Sequence, residues 1–414
     1  MAKRKNESVP NGFVYRLLQL PIMILSRRGR RLVFHRNVPE PIEGPVLILA
    51  NHVSYWDWAY IPQTFPRHRL TVIANRFYFR TAPMRFLLGK IRAIPKTMMY
   101  PDFETIRKVV RAAKDGRYLV MFPEARLSTD GTSQDVVPGI GALIRKLAIP
   151  VIFVEIAGAS LASPKWAKHP RRGTVEITVK ERVAPEAFAA MSPEAIDRFV
   201  TDRLFHDESE YASRSGNRYP AKDLTAGIEG ILYVCPACGS EFSLHGGNDR
   251  VVCDECGHSA TMKDDGTFVS DHPEIANVRD WHRLQHRHEK ERLEAGNFAF
   301  DVEVEVLRMD LANPRNDLRG TGTVRVRKDG IEFDGIVGIA PERFDTPAGA
   351  LTAIAFKSDV EFELYHKGYL YYCHPKGNSH LCAKVSVAAD VIAGRRIAAA
   401  RDESTPHVEG DAAR

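Results

Sequence analysis

The stretch ILANHVSYWDW, Ile48–Trp58, ends an apolar run on a histidine and places an aspartate five positions further on. His52 can act as a general base near neutral pH and take a proton from a hydroxyl. Asp57 can reach back to the imidazole if the chain turns, fixing its tautomer and stabilising the imidazolium as it forms. Ser54 reads as loop chemistry rather than as an enzyme nucleophile, so the pair suits activation of a substrate hydroxyl. A second cluster, Glu124 and Arg126 in PEAR (Pro123–Arg126), follows another apolar run. Its guanidinium fork is matched to a phosphate. On residue types alone a plainer reading stays open. His52 could close a strand end, Asp57 and Glu124 could cap helices, and Arg126 could lie on the surface.

A third cluster is Cys235, Cys238, Cys253 and Cys256, two C-x2-C knuckles separated by 14 residues. Four thiolates on two tight turns, each followed by a glycine (Gly239, Gly257), suit a closed tetrahedral Zn²⁺ site. A closed site has no open coordination position, so this zinc is expected to be structural. An iron–sulfur or redox role is the alternative. Cys373 and Cys382 read as small buried apolar residues. His282, His286 and His288 read as members of a solvated helix face.

The elements that must position the first two clusters form an α/β pattern. VLILA (Val46–Ala50), YLVMF (Tyr118–Phe122) and PVIFVEIAG (Pro150–Gly158) are short apolar runs, as in buried parallel strands. Helical patterns separate them. One has Asp102 as N-cap and Gly116 beyond its end, and another opens on Ser192-Pro193-Glu194. TVEITV (Thr174–Val179) alternates and reads as an edge strand. In such sheets ligands bind beyond the carboxyl ends of the strands, and both His52 and PEAR sit at strand ends. After Phe205 the composition turns polar and reads as a linker. A polar helix ending at Gly296 follows the cysteines. FDVEVEVLRM, GTVRVRKDGIEFDG with its Lys-Asp-Gly turn, LTAIAF, VEFELYHKGYLYYCHP and HLCAKVS then read as strands, and VAADVIAGRRIAAA as a closing helix.

The chain has 414 residues, 44% of them hydrophobic, enough for two or three domains with cores. No apolar run reaches the roughly 20 residues of a membrane span, and Phe13–Leu25 lacks a signal-peptide cleavage site, so a cytoplasmic protein is expected. Six cysteines, four of them in knuckles, point to a reducing compartment. The net charge of +6 is concentrated at the front, where residues 1–40 carry nine cations against two carboxylates. Phe13, Leu17, Leu20 and Ile24 recur at helical spacing just before RRGRR. An apolar stripe beside arginines can lie in a membrane interface, and Trp56 and Trp58 suit that depth. The alternative is a helix packed on the protein's own core.

NHVSYWD with FPEARLS downstream resembles the glycerolipid acyltransferase family, whose first block reads Asn-His-x-Ser-x-x-Asp and whose third begins Phe-Pro-Glu-Gly. LLGKIRAIPK (Leu87–Lys96) resembles its second block and AIPVIFVEIAGA its fourth. The four occur in order over about residues 45–160. The resemblance implies a mostly parallel sheet flanked by helices. It implies that His52, oriented by Asp57, deprotonates a lysophospholipid hydroxyl, which attacks an acyl-CoA or acyl carrier protein thioester, with no organic cofactor. Glu124, Arg126, Lys96, Asn51 and Ser54 would bind the acceptor. Three departures stand out, one of them Lys96 where the family usually has arginine. Ala125 replaces the family's glycine, and Arg126 follows it directly, as in bacterial 2-acylglycerophosphoethanolamine acyltransferases.

The expected organisation is a basic amphipathic segment over 1–33, an acyltransferase domain over 34–205, a linker over 206–229, the zinc ribbon over 230–270, a connecting helix over 271–296, a small β-rich domain over 297–401 and a disordered tail over 402–414. The expected activity is O-acylation of 1-acylglycerol 3-phosphate to phosphatidic acid, in a bacterial enzyme peripheral on the inner face of the cell membrane. Another lysophospholipid acceptor is one alternative. A zinc-ribbon binding protein with a degenerate acyltransferase domain is the other, but few basic residues cluster around the ribbon, which counts against nucleic acid as its partner.

Overall fold

The computed structural model describes residues 12–39, 42–97, 102–313 and 316–395. Lys3, Arg4 and Lys5, the last part of the expected closing helix and the expected tail over 402–414 lie outside the described residues.

The first sheet is built from β1 (Arg30–Arg36), β2 (Val46–Ala50), β3 (Leu70–Asn75), β4 (Ile94–Lys96), β5 (Tyr118–Met121), β6 (Val151–Ala157) and β7 (Gly173–Val183). Helices α1 (Gly12–Arg27), α2 (Asp57–Thr64), α3 (Ala82–Lys90), α4 (Phe103–Lys114), α5 (Ile140–Leu147), α6 (Ala159–Ala162), α7 (Pro193–Leu204) and α8 (Glu208–Ser215) lie before, between and after the strands. The strand order is β1-β7-β6-β2-β5-β3-β4. β2 runs parallel to both β5 and β6, and β3 parallel to β5 and β4. Every side chain of β2 is buried, because apolar clusters cover both faces: Ile48 and Val120 on one, Leu49 and Leu119 on the other. The caps expected from sequence form as read: the Asp102 carboxylate accepts from Thr105 N–H, and the Ser192 hydroxyl from Ala195 N–H.

Two expectations for this region need correction. Thr174–Val179 is not an edge: β7 lies between β6, to which it is antiparallel, and β1, to which it is parallel. The strand outside it, β1, is the arginine-rich stretch that the charge pattern assigned partly to a terminal segment. The polar run after Phe205 is also more than a linker. Asp207 caps α8 through Ser209 and Glu210 N–H groups, and His206, Asp207 and Glu208 are buried.

The ribbon is a four-stranded antiparallel sheet of β8 (Leu244–Gly247), β9 (Arg250–Cys253), β10 (Ser259–Met262) and β11 (Phe268–Val269). Helix α9 (Val278–Glu294) connects it to a second seven-stranded sheet. That sheet contains β12 (Phe300–Asp310), β13 (Asp317–Arg327), β14 (Gly330–Val337), β15 (Ala340–Pro347), β16 (Phe356–Lys357), β17 (Glu361–His366) and β18 (Tyr369–Pro375), followed by α10 (Leu381–Ile392). Its order is β15-β14-β13-β12-β18-β17-β16, antiparallel throughout. One apolar core joins ribbon and sheet, running from Leu232 and Leu244 through Trp281 to Phe362 and Ala388.

HLCAKVS is the first half of α10 rather than a strand, and of LTAIAF only Phe356 is in a strand. The α9 histidines are not solvated. His286 is buried, His282 Nδ1 is 3.0 Å from an Asp130 carboxylate oxygen, and His288 Nε2 is 3.1 Å from Glu241 Oε1. Cys373 and Cys382 are fully buried, as expected.

Candidate active site

The chain leaves β2, turns through residues 51–56 and enters α2 at Asp57, so the turn carries the first cluster. Asp57 makes the turn possible. Its Oδ2 accepts from Val53 N–H at 2.7 Å and Ser54 N–H at 2.8 Å, and lies 2.9 Å from His52 Nδ1. An oxygen that already accepts two backbone bonds takes its third from Nδ1–H. That leaves Nε2 as the imidazole nitrogen with a lone pair. The Asp57 side chain is wholly buried while 24% of the His52 side chain is exposed, so the base is reachable and its orienter is not. Burial raises the Asp57 carboxyl above its usual range, against the lowering effect of His52 and the two N–H groups. Phe122 stacks on one face of the imidazole, with centroids 4.7 Å apart and planes at 27°.

Glu124 leaves the end of β5 and is buried. Its Oε1 accepts from His52 N–H at 2.9 Å and its Oε2 from Gln134 N–H at 2.9 Å. Burial pushes its carboxyl up to about 7, with the two N–H bonds acting the other way. Ser128 N–H completes the clamp, donating to the His52 carbonyl at 3.0 Å. The expected substrate role of Glu124 therefore becomes a structural one: both oxygens hold backbone, and the carboxyl fixes the loop that carries His52. Ala125, in the family's glycine position, adopts φ +58°, a left-handed conformation that costs an L-residue about 1–2 kcal/mol.

Other expected binding residues also have structural occupations. Asn51 is buried and its amide is consumed by Ile156, donating to the carbonyl at 2.9 Å and accepting from the N–H at 2.7 Å. This clips the end of β2 to β6. Ser54 is buried, and its hydroxyl accepts from Trp56 N–H at 3.3 Å. Lys96 ends β4, three strands from β2 in the sheet order, or roughly 14 Å at the usual strand spacing. Its ammonium donates to Thr97 O at 3.1 Å, and burial lowers its pKa. The fold thus brings His52, Asp57, Glu124, Arg126, Asn51 and Ser54 to one strand-end cluster and leaves Lys96 outside it.

Arg126 faces the second sheet's closing helix. Its guanidinium meets the Asp390 carboxylate at 3.1 and 3.4 Å and Gln134 Oε1 at 2.5 Å. The second sheet touches the first domain at two further places. Phe77 packs edge-on against Tyr372 at 5.3 Å beside an Arg80–Asp317 ion pair, and Lys165 Nζ lies 3.5 Å from the Phe356 ring centroid. Phe122, Gln134 and Asp390 were not legible as site residues. Phe122 had a signal, its place directly before PEAR; the partner of Arg126 lies 264 residues away and had none.

In the ribbon, the Cys235 and Cys256 sulfurs are 3.7 Å apart and those of Cys238 and Cys253 are 3.8 Å apart, with all four within 4.8 Å of one another. A tetrahedron of Zn–S bonds of about 2.3 Å has edges of about 3.8 Å, so the donor set fits zinc. Gly239 (φ +72°) and Gly257 (φ +74°) take the left-handed turn that closes each knuckle.

Residues 30–157 match the family model described as Acyltransferase, and residues 228–264 match a zinc-ribbon model described as the 7 kDa subunit of DNA-directed RNA polymerase. Among solved structures the chain is similar to the 1-acyl-sn-glycerophosphate acyltransferase PlsC of Thermotoga maritima, at 19% identity over 46% of this chain and 78% of that one, with a TM-score of 0.39. The acyltransferase match spans β1 to β6 of the first sheet. Residues 30–157 therefore resemble an acyltransferase domain, and residues 228–264 a zinc ribbon.

Proposed function

We propose that the chain transfers an acyl group from a thioester, acyl-CoA or acyl carrier protein, to the free hydroxyl of a lysophospholipid, with 1-acylglycerol 3-phosphate as the first candidate. The observation that carries this reading is the His52–Asp57 pair. It lies at the strand end, reachable from outside, while the hydroxyl of Ser54, two residues on, is buried and bonded. His52 Nε2 takes the acceptor's hydroxyl proton as the oxygen attacks the thioester carbonyl. The tetrahedral intermediate collapses, the C–S bond breaks, and the imidazolium returns its proton to the departing thiolate. Asp57 holds the imidazolium between the two steps. The intact pair also weighs against a degenerate domain.

The acyltransferase domain meets lipid at a membrane face. No helix among the described residues is long and apolar enough to cross a membrane. On α1, however, Phe13, Leu17, Leu20, Ile24 and Leu25 are exposed, and Arg27, Arg28, Arg30 and Arg31 follow. The stripe supports peripheral docking on an anionic surface.

The test is a panel. Purified protein is given lysophosphatidic acid, lysophosphatidylethanolamine and other lysophospholipids, each with acyl-CoA and with acyl carrier protein thioester, and the products are identified by mass. A diacyl product from one acceptor supports the reading and identifies the headgroup. Thioester cleavage with no acylated acceptor in any arm would overturn it.

A further inference from the structure

The acceptor proposed above carries a phosphate, and neither cation expected to hold it is free at the site. Arg126 is paired with Asp390, and Lys96 sits at the far edge of the sheet. The segment after β6 supplies another. Lys165 lines a cavity of about 60 Å³ whose wall includes Val53, the neighbour of His52, and Ser128, whose N–H holds the His52 carbonyl. Arg171 lines it too, but its guanidinium donates to Leu224 O at 2.7 Å and rests on the Trp166 ring at 5.0 Å.

Lys165 differs from the cations around it. Among the described residues its ammonium has no hydrogen bond and no carboxylate partner, and it lies over the Phe356 ring. The surrounding acids are already engaged. Asp130 pairs with His282, Asp390 with Arg126 and Arg395, and Glu363 accepts from Tyr365 O–H at 2.7 Å. Glu208 accepts from Gly158 and Ser160 N–H groups. Burial, and next the charge of Arg126, pull the Lys165 ammonium down to about 7. A cation held away from water without a counter-ion is costly, and an anion that enters restores what solvation was lost. The cavity that Lys165 lines is also walled by Trp166 and by the hydroxyl-bearing Ser128 and Ser160, which leaves room for a small oxyanion.

We propose that Lys165 is the phosphate-binding residue of the acyl-transfer site, receiving a substrate phosphate group in the cavity beside Val53. This rests on the acyltransferase reading above. The phosphate belongs to the acceptor or to the coenzyme A of the donor, and the chemistry at Lys165 is the same for both.

The test compares wild type with Lys165→Met and Lys165→Arg. Acceptors are 1-acylglycerol 3-phosphate and phosphate-free monoacylglycerol; donors are acyl-CoA and the phosphate-free N-acetylcysteamine thioester. A lost charge-assisted bond predicts a KM about 10- to 100-fold higher for the phosphate-bearing partner in Lys165→Met. The kcat and the KM of the phosphate-free analogue should stay within a few-fold, and Lys165→Arg should recover most of the loss. A rise confined to the acceptor assigns the phosphate to it, and one confined to acyl-CoA assigns it to the donor. An active wild type whose KM values are all unmoved in Lys165→Met would overturn the proposal. Calorimetric titration with glycerol 3-phosphate and with coenzyme A separates this from failure of the acyl-transfer reading, because it needs no turnover. Weaker binding of either in Lys165→Met supports the assignment even if no acyl transfer is found, and equal binding of both overturns it.

Discussion

Arg126 Nη2 lies 3.1 Å from Asp390 Oδ2, joining the loop after β5 to the helix that closes the second sheet. Both side chains are largely withdrawn from water, at 14% and 10% exposure. The pair makes α10 part of the environment of His52, since Glu124, two residues before Arg126, holds the His52 backbone. Removing Asp390 leaves the Arg126 guanidinium without a carboxylate, at a cost of about 3 kcal/mol; removing Arg126 leaves Asp390 with Arg395 alone, at a smaller cost. Asp390→Asn should therefore lower stability in chemical denaturation, and Arg126→Gln should do the same. The double variant should be less destabilised than the two single losses added together. Strict additivity would show that the two side chains do not interact.

The ribbon shares its core with the second sheet: Cys235 and Cys253 belong to the same apolar cluster as Phe298, Phe362 and Ala388. The purified chain should contain one zinc. Cys253→Ser should abolish metal binding and lower the melting temperature of ribbon and sheet together, because no boundary between cores divides them. A closed four-thiolate site takes no part in chemistry, so replacement of zinc by cadmium should leave turnover unchanged. A folded ribbon without metal, or a rate that follows the identity of the metal, would contradict this.

His206 is buried with its Nδ1 3.0 Å from Glu155 and its Nε2 3.4 Å from Glu208. Burial alone would lower its pKa, but the Glu208 and Glu155 carboxylates outweigh it and push it up to about 10. The folded state thus holds a proton that the unfolded state releases near pH 6.5. The contribution is complete below that pH and is lost as pH rises from 6.5 through about 10, on the order of a few kcal/mol. Chemical denaturation at pH 6, 8 and 10 should show wild type losing its advantage over His206→Gln across this window. Parallel pH curves for the two proteins would remove His206 as the cause.

Much of the acyltransferase domain was legible because its central strands are apolar on both faces. VLILA and YLVMF have no reading as surface, and the residues after them had to meet at one edge. β7 was misjudged because alternation marks a half-buried strand, and its outer neighbour β1, RRLVFHR, reads as a charge run. Helix α10 was split between strand and helix because Cys382–Asp390 is buried on every side, which erases the period that marks an amphipathic helix. The α9 histidines looked solvated because the helix is mostly polar, yet their partners Asp130 and Glu241 come from other parts of the chain. Glu124 and Asn51 lie in the strand-end cluster with His52, but a sequence does not say whether a polar side chain faces a ligand or holds backbone.

The central claim is that the His52 imidazole, backed by Asp57, removes the proton from a lipid hydroxyl. The direct measurement is the rate of thiol release from acyl-CoA with a lysophospholipid acceptor, for wild type and His52→Ala at matched circular dichroism spectra. Loss of a positioned general base predicts a fall of about 100- to 10,000-fold in the variant with its fold intact. Equal rates in the two proteins would contradict the account.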